Sequence, residues 1–448
     1  MGKFSLILTL IIFIFSQDTL AQEKKWTLED CINYAVTNNI GLQRQRLQTE
    51  ISEVNLTKSK MDVLPSLNLG SDASIQFGRS VDPGTNLYTF SQNFRNGYDI
   101  SSNLTLFNGF AVMNTISANK FMNKAGIETE KIARNTLIVD IMGQYYLVLY
   151  TKGLENASKM QLEISEKQLF RIKKMVETGK EAISKEYELE SRVSTDRLTY
   201  TVAQNSASQA LTTLKHMLQL EPGTTFDILM PDLGLMLIPD LNYNTDSIYI
   251  IASQTLPRLK AIEYELKASK KQVAAARGRL APSLSAGGSL YTGYYTAIGD
   301  TAADSFSNQL DNNFGQGVYA TLNIPIFNNY TTGRNIKIAK INQKDKELRL
   351  ELEKNNLYTE IENACLNYNR GKDEFSAATA NYEYNKKSFS AVEKKFEAGL
   401  VDVTDYSAAK STLFSAETEA LRTKLQLLIR SLTIEFYSTG EYLNIIKN

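Results

Sequence analysis

One histidine, two cysteines and a glycine turn are the residues of this chain best suited to covalent or ligand chemistry, and none of them builds a site. His216 is the only histidine. A His-x-x-x-His zinc pair is therefore excluded, and a Ser-His-Asp triad would rest on a single imidazole inside sequence that reads as a helical seam. Thr178-Gly179-Lys180 resembles the end of a phosphate loop, but the first glycine of that pattern would fall at Lys174, and no strand precedes it. Cys31 and Cys365 could pair in an oxidising compartment, yet both lie in helix-like sequence, where two small buried hydrophobes are the plainer reading. No catalytic constellation, cofactor motif or metal-ligand set emerges, so the chain does not read as an enzyme.

The remaining signals are about place and architecture. Lys3 is followed by a largely apolar run from Phe4 to Phe15 and then by Ser16-Gln17-Asp18. That pattern predicts a secretory signal peptide over 1–21, with small side chains at Thr19 and Ala21 and cleavage before Gln22. The residue at that position is Gln22 and not a cysteine, so a lipid anchor there is not expected. Beyond Gln22 no stretch approaches the roughly 18 consecutive apolar residues of a spanning helix. Lys and Arg together number 49, as do Asp and Glu, so nothing points to a nucleic-acid partner.

The chain repeats itself. Leu64-Pro65-Ser66-Leu67 matches Ala281-Pro282-Ser283-Leu284, an offset of 282 − 65 = 217. Phe107-Asn108-Gly109 matches Phe327-Asn328-Asn329, and Glu177-Thr178-Gly179 matches Glu397-Ala398-Gly399, both at an offset of 220. Ala35 and Leu42 match Ala252 and Leu259 at 217. Matches in one order with a three-residue slip indicate a duplicated unit. The predicted division is a first repeat over 22–219, a connector over 220–247 marked by Pro222, Pro231 and Pro239, a second repeat over 248–437 and a tail over 438–448.

Each copy reads as helix, strand, loop, strand, long helix, turn, helix. Leu67, Leu69, Ala73, Ile75 and Phe77 alternate with Ser66, Asn68, Asp72, Ser74 and Gln76, which predicts a strand over about 66–77. The same alternation predicts strands over about 98–107, 283–294 and 316–327, with 78–97 and 296–315 as exposed loops. Runs of this length suit tilted membrane-spanning strands, with Leu69, Ile100, Leu104 and Leu322 on lipid and Asn68, Asp99, Asn103 and Asn323 on water. No proline falls between Phe107 and Glu221 or after Pro325. Long helices over about 111–177 and 331–397 are therefore allowed, each on the order of 100 Å at 1.5 Å per residue, followed by helices over about 183–219 and 403–436 begun by Ser184 and Thr404. Helices of that length belong in a bundle or tube. Four strands cannot close a barrel and open edges cannot face lipid, so several chains must share one barrel; an open conduit needs at least three.

In this layout the chain resembles the TolC-like outer-membrane efflux proteins over essentially its whole mature length. The resemblance rests on the duplication, on Pro65-Ser66-Leu67 and Pro282-Ser283-Leu284, on Leu106-Phe107-Asn108-Gly109 and Ile324-Pro325-Ile326-Phe327, and on Gly179 and Gly399 between paired helices. It implies an α+β membrane protein whose homotrimer forms a 12-stranded β-barrel in the outer membrane of a Gram-negative bacterium, continuing into a long periplasmic α-helical barrel. It also implies a passive exit duct of a tripartite efflux or type I secretion system, in contact with outer-membrane lipid, a periplasmic adaptor and an inner-membrane pump or ATP-driven transporter. No cofactor or nucleic acid is implied. A coiled-coil spacer without a pore is the rival reading, and the four alternating strands argue against it.

Two site expectations come with the resemblance. The turns at Gly179 and Gly399 correspond to the periplasmic tip that meets the adaptor. Members of the family often carry Gly-x₅-Asp-x-x-Asp after the turn glycine; here Asp405 takes the first aspartate position and Ala408 the second, while Asp402 lies between Gly399 and Asp405. Asp402 and Asp405 are thus candidates for an acidic gate or, alternatively, two solvated acids at a helix start, where the dipole favours negative charge.

Overall fold

A computed structural model describes residues 25–81, 86–231, 243–299 and 304–440 of the chain. The expected signal peptide and most of the 438–448 tail lie outside the described residues. Two helices open the chain: α1, Leu28–Asn38, begun by a capping box in which Thr27 and Asp30 satisfy each other's backbone N–H, and α2, Ile40–Met61. Then come β1 (Ser66–Val81), β2 (Tyr88–Phe107), α3 (Ala111–Glu177) and α4 (Ile183–Met217). The second copy comprises α5 (Thr245–Thr255), α6 (Pro257–Gly278), β3 (Ser283–Ala297), α7 (Phe306–Asn312), β4 (Gly315–Asn323), α8 (Thr331–Glu397) and α9 (Val403–Thr439).

Several elements differ from the sequence expectation for identifiable reasons. Most of 78–97 is strand, because β1 continues through Gly78 at φ 125° and β2 begins at Tyr88. The segment 296–315 contains helix α7, short and polar, whose N-cap Ser305 accepts from Asn308 N–H. β4 stops at Asn323, two residues before Pro325, which has no N–H for a ladder. The first helix of each copy is split, at Asn39 and at Leu256, each in extended conformation. α5 starts at Thr245, inside the expected connector, because Asn244 caps it. Ser184 and Thr404 do not start helices: the N-caps are Ala182, which makes no side-chain bond, and Asp402. His216 is exposed in the last turn of α4 rather than set in a seam.

The described residues divide into two compact units, one within 47–128 and 260–352, the other of the remaining described residues. The first unit holds one antiparallel sheet in the order β1-β2-β3-β4. Its register places Leu69 opposite Ile100, Ile100 opposite Leu290, and Leu284 opposite Leu322. β3 runs beyond β4, and α7 covers the surplus: Gln309 accepts from the backbone N–H of Tyr295 at 2.9 Å and donates to its carbonyl at 2.9 Å, while Asn313 donates to the carbonyl of Gly293 at 2.7 Å. An open strand edge is thereby closed by side-chain amides.

At both strand-to-helix exits two consecutive residues are left-handed, Gly109-Phe110 and Asn329-Tyr330. In each copy the preceding asparagine turns its Oδ1 towards a backbone N–H of the new helix, Asn108 to Val112 and Asn328 to Thr332. The internal repeat is therefore kept in backbone conformation even where glycine becomes asparagine, a residue that tolerates this region. Gly109 also needs its missing side chain, since a Cβ there would lie 2.1 Å from the Gly278 carbonyl oxygen.

The second unit is helical. Its main core gathers Cys31 and Ile32 of α1, Ile138, Met142, Tyr145 and Leu149 of α3, Leu214 of α4 and Leu425 and Leu428 of α9. The steps of three and four along α3 are what place one face inward. The connector is pinned there: Trp26 donates to Asp227 carbonyl at 2.9 Å, Leu229 donates back to Trp26 carbonyl at 2.9 Å, Tyr145 donates to Leu229 carbonyl at 3.0 Å, and Lys152 pairs with Asp227. Cys31 and Cys365 are both free and buried, and burial pushes the Cys31 thiol up to about 12.

Candidate functional site

The sheet separates two chemistries by register alone. One face carries Leu67, Leu69, Ile75 and Phe77 of β1, Phe94 and Ile100 of β2, Leu284 and Leu290 of β3 and Val318 and Leu322 of β4. The opposite face carries Asn68, Asp72 and Gln76, then Asp99, Ser101 and Asn103, then Ser285 and Ser289, and finally Thr321 and Asn323. The apolar side chains are not hidden within the chain: Leu69 is 77% exposed and Val318 92%. A water-exposed apolar face of this extent marks a surface made for another apolar phase. β1 and β4 are the outer strands of the sheet, so their outward backbone groups have no strand partner among the described residues.

The polar face contains a reciprocal pairing. Gly70 lies opposite Asp99 and Asp72 opposite Gly97. Each carboxylate lies over the facing glycine, since a Cβ on Gly70 would meet Asp99 Oδ1 at 2.3 Å and one on Gly97 would meet Asp72 Oδ1 at 2.6 Å. The two carboxylates thus lie close against the sheet.

The turn glycines are built alike. Gly179 has φ 65° and Gly399 φ 72°. Lys180 N–H donates to Met175 carbonyl at 2.8 Å, and Leu400 N–H to Lys395 carbonyl at 2.9 Å, the six-to-one bond of a Schellman end. No atom stands within 4 Å of where a Cβ would be at either glycine, so the requirement is one of backbone conformation and not of space. Beneath the turns Ile172, Leu189, Phe389, Phe396, Val403 and Tyr406 form a cluster, with Phe396 stacked on Tyr406 at 4.5 Å. The two hairpins are linked by Thr404 Oγ1 donating to Glu188 at 2.8 Å and by Arg171 donating to the Glu397 carbonyl at 2.9 Å.

Asp402 is the N-cap of α9 and accepts from Asp405 N–H at 2.8 Å. Asp405 lies in the first turn, and both are exposed. The structure brings these two acids together at a helix start.

Sequence reading missed a buried ionic cluster. Lys410 of α9 donates to Ser165 Oγ at 2.7 Å and to Asp196 Oδ2 at 3.4 Å, and also reaches the Gln161 carbonyl. Ser165 donates to Asp196, and Arg192 stands 3.5 Å from the other carboxylate oxygen. Burial pulls the Lys410 ammonium down to about 8, against the opposing pull of Asp196. The signal was present in the spacing: Leu189, Val193 and Asp196, like Val403, Tyr406 and Lys410, step by three and four and are all buried, so each charge occupies a seam position.

No group of acids, histidines and cysteines among the described residues could hold a metal ion. No described helix is long and apolar enough to cross a membrane.

Comparison with known proteins completes the description. Residues 250–439 match the family model described as outer membrane efflux protein. An uncharacterized protein of Haemophilus influenzae is 21% identical over 435 residues, covering 94% of this chain and 90% of the relative. The toxin and drug export protein A of Aggregatibacter actinomycetemcomitans is 20% identical over 405 residues, covering 90% and 83%. A crystal structure of CusC superposes with a TM-score of 0.78 at 17% identity, covering 94% of this chain and 96% of the other.

Proposed function

We propose a working assembly from the family: residues 250–439 are an outer membrane efflux protein domain, the whole chain has the TolC-like fold, and the protein is an efflux channel of the Gram-negative outer membrane that extends into the periplasm. In the proposed assembly three copies share one barrel of 3 × 4 = 12 strands. β4 of each copy pairs with β1 of the next, which satisfies the backbone groups that a bilayer would otherwise leave unpaired. The face of Leu69, Ile100, Leu104 and Leu322 then lies on lipid, and that of Asn68, Asp99, Asn103 and Asn323 lines the lumen. The observation that carries this reading is a sheet with one bare apolar face, one polar face and two open edges.

The duct is passive and is driven by an adaptor and an inner-membrane pump or ATP-driven transporter, in a tripartite efflux or type I secretion arrangement. Its cargo is small molecules or polypeptides; the relative from Aggregatibacter, named for toxin and drug export, supports that range. The turns at Gly179 and Gly399 contact the adaptor, and Asp402 and Asp405 of three copies form an acidic ring at the entrance. The proposed repeat boundaries, 22–219 and 248–437 about a 220–247 connector, make each repeat contribute two strands and one helical hairpin.

Denaturing gels of outer-membrane fractions, run with and without heating and without cross-linker, test the assembly. Heat-dissociable trimers in outer-membrane fractions are expected. A monomer or dimer in the membrane would contradict the shared barrel.

A further inference from the structure

Charge is sorted across the sheet with one exception. Among the described strand residues Asp72, Arg95 and Asp99 lie on the polar face, and Arg79 alone carries charge on the apolar one. Alternation along β1 places Arg79 next after Phe77 on that face. It stands directly opposite Phe90 of β2, with Tyr88 diagonal to it. A cation on a lipid-facing strand is costly at the bilayer midplane and nearly free of cost at the interface, so its height decides what it can do.

The strand itself gives that height. α2 and α3 join the sheet near Ser66 and Phe107, so the end holding Val81 and Tyr88 is the far one. From Leu67 to Phe77 the apolar face of β1 carries no charge. That stretch covers about 33 Å along the strand at roughly 3.3 Å per residue, and a tilt of about 40° reduces it to about 25 Å, the height of the lipid-facing band of an outer-membrane barrel. Arg79 is the next position, at the outer rim of the band. Its neighbours there are bare aromatics: Tyr88 is 69% exposed and Phe90 87%. Aromatic rings gather at this level because one end of the ring is apolar and the other wet. The guanidinium carbon of Arg79 lies 4.9 Å from the centroid of the Tyr88 ring, a cation–π contact. Stacking engages the face of the guanidinium and not its N–H edge, and that planar fork of donors matches the oxygens of a phosphate.

We propose that Arg79, stacked on Tyr88 and beside Phe77 and Phe90, binds the anionic phosphate of a lipid headgroup in the outer leaflet. The acyl chains of that lipid lie down the face of Leu67, Leu69, Ile75 and Phe77, a contact that a soluble anion could not make. The inference rests on the assignment of this face to lipid under the proposed function.

The test uses the full-length protein with Phe90→Trp as a reporter beside Arg79, reconstituted in vesicles of phosphatidylcholine with a graded fraction of phosphatidate. Each lipid is brominated in turn to quench tryptophan fluorescence. Trp26, the only native tryptophan, gives a background measured without Phe90→Trp and subtracted. Brominated phosphatidylcholine should quench the reporter, and phosphatidate should be preferred over it about fivefold, the ratio that ~1 kcal/mol for one cation at an anionic surface gives. Arg79→Gln should bring the preference to about one, and Arg79→Lys should leave part of it. Quenching by both lipids without preference while Arg79 is present, or a preference unchanged by Arg79→Gln, would overturn the proposal and leave the lipid-facing sheet standing. Absence of quenching by either lipid would overturn the assignment of the face to lipid, and the proposal with it.

Discussion

Lys410 and Asp196, on α9 and α4, stand 3.4 Å apart with both side chains almost wholly buried. Ser165 of α3 bridges them, so three helices meet through one charged cluster. Removing one member of a buried pair leaves the other charge without a partner, at a cost of about 3–5 kcal/mol, whereas replacing both by apolar groups is often neutral. Asp196→Asn should therefore lower the unfolding midpoint clearly, and Asp196→Leu with Lys410→Met should recover most of the loss. A double variant no better than the single one would show that the charges themselves stabilise the helices.

The pH dependence of the same cluster has a definite sign. Burial holds the folded Lys410 at about 8, below its ordinary 10.5, so the folded chain binds fewer protons than the unfolded one between these values. The contribution to stability is fully present above pH 10.5 and is lost as pH falls through about 8. Denaturant unfolding of the wild type, measured against Lys410→Met, should show a relative gain on the order of 2–3 kcal/mol between pH 8 and 10.5. A flat difference would mean that the lysine is solvated.

Gly278 and Gly109 test the strand-to-helix packing. A Cβ on Gly278 would sit 2.4 Å from the Gly109 carbonyl oxygen, and backbone cannot swing away. Gly278→Ala should cost about 3 kcal/mol or more and reduce the yield of oligomer. Gly143, in the middle of α3 with no atom within 4 Å of a Cβ, provides the contrast: Gly143→Ala should stabilise by roughly 0.4–1 kcal/mol. Equal effects of the two in thermal melts would contradict the close approach.

At the turns and at the start of α9, conformation and charge can be separated. Gly399→Val forces a β-branched residue to φ 72°, at a local cost of about 1–2 kcal/mol, and should lower export while trimers persist. Asp402 caps α9, so replacement by alanine would disturb the helix start as well as the charge. Asp402→Asn with Asp405→Asn keeps the cap acceptor and removes the charge. In single-channel recordings this pair should lower cation selectivity and the block by multivalent cations. Unchanged selectivity would place both acids in bulk water.

Much of this fold could be read from the sequence because duplication and alternation leave strong marks. The match of Phe107-Asn108-Gly109 to Phe327-Asn328-Asn329 anticipated the repeat, and the paired left-handed residues at both sites show what backbone conformation it preserves. Leu69 and Ile100 share one face, as do Leu284 and Leu322, which period-two patterning anticipates; their cross-strand pairing comes from the structure. Where Gly78 and Pro83 interrupted the pattern the reading shortened the strands, since a positive-φ glycine within a strand looks like a turn. α7 was not legible because seven residues with only Phe306 and Leu310 apolar are too short to show a helical stripe. Lys410 escaped notice because a single lysine on a long helix reads as solvent-facing until the helix packed against it is known. The roles of Asp402, Asp405 and the turn glycines came from resemblance, and the geometry supplies a cap and two Schellman ends, to which charge and contact assays must add function.

The most direct measurement is single-channel conductance of the purified oligomer in a planar bilayer, with a charged thiol reagent applied to Asn103→Cys and, separately, to Leu104→Cys. These neighbours alternate across one strand. A lipid-embedded barrel with a polar lumen predicts a steady conductance that falls on labelling of Asn103→Cys and is unaffected in Leu104→Cys. Absence of conductance, or a fall confined to Leu104→Cys, would contradict the channel and the face assigned to its lumen.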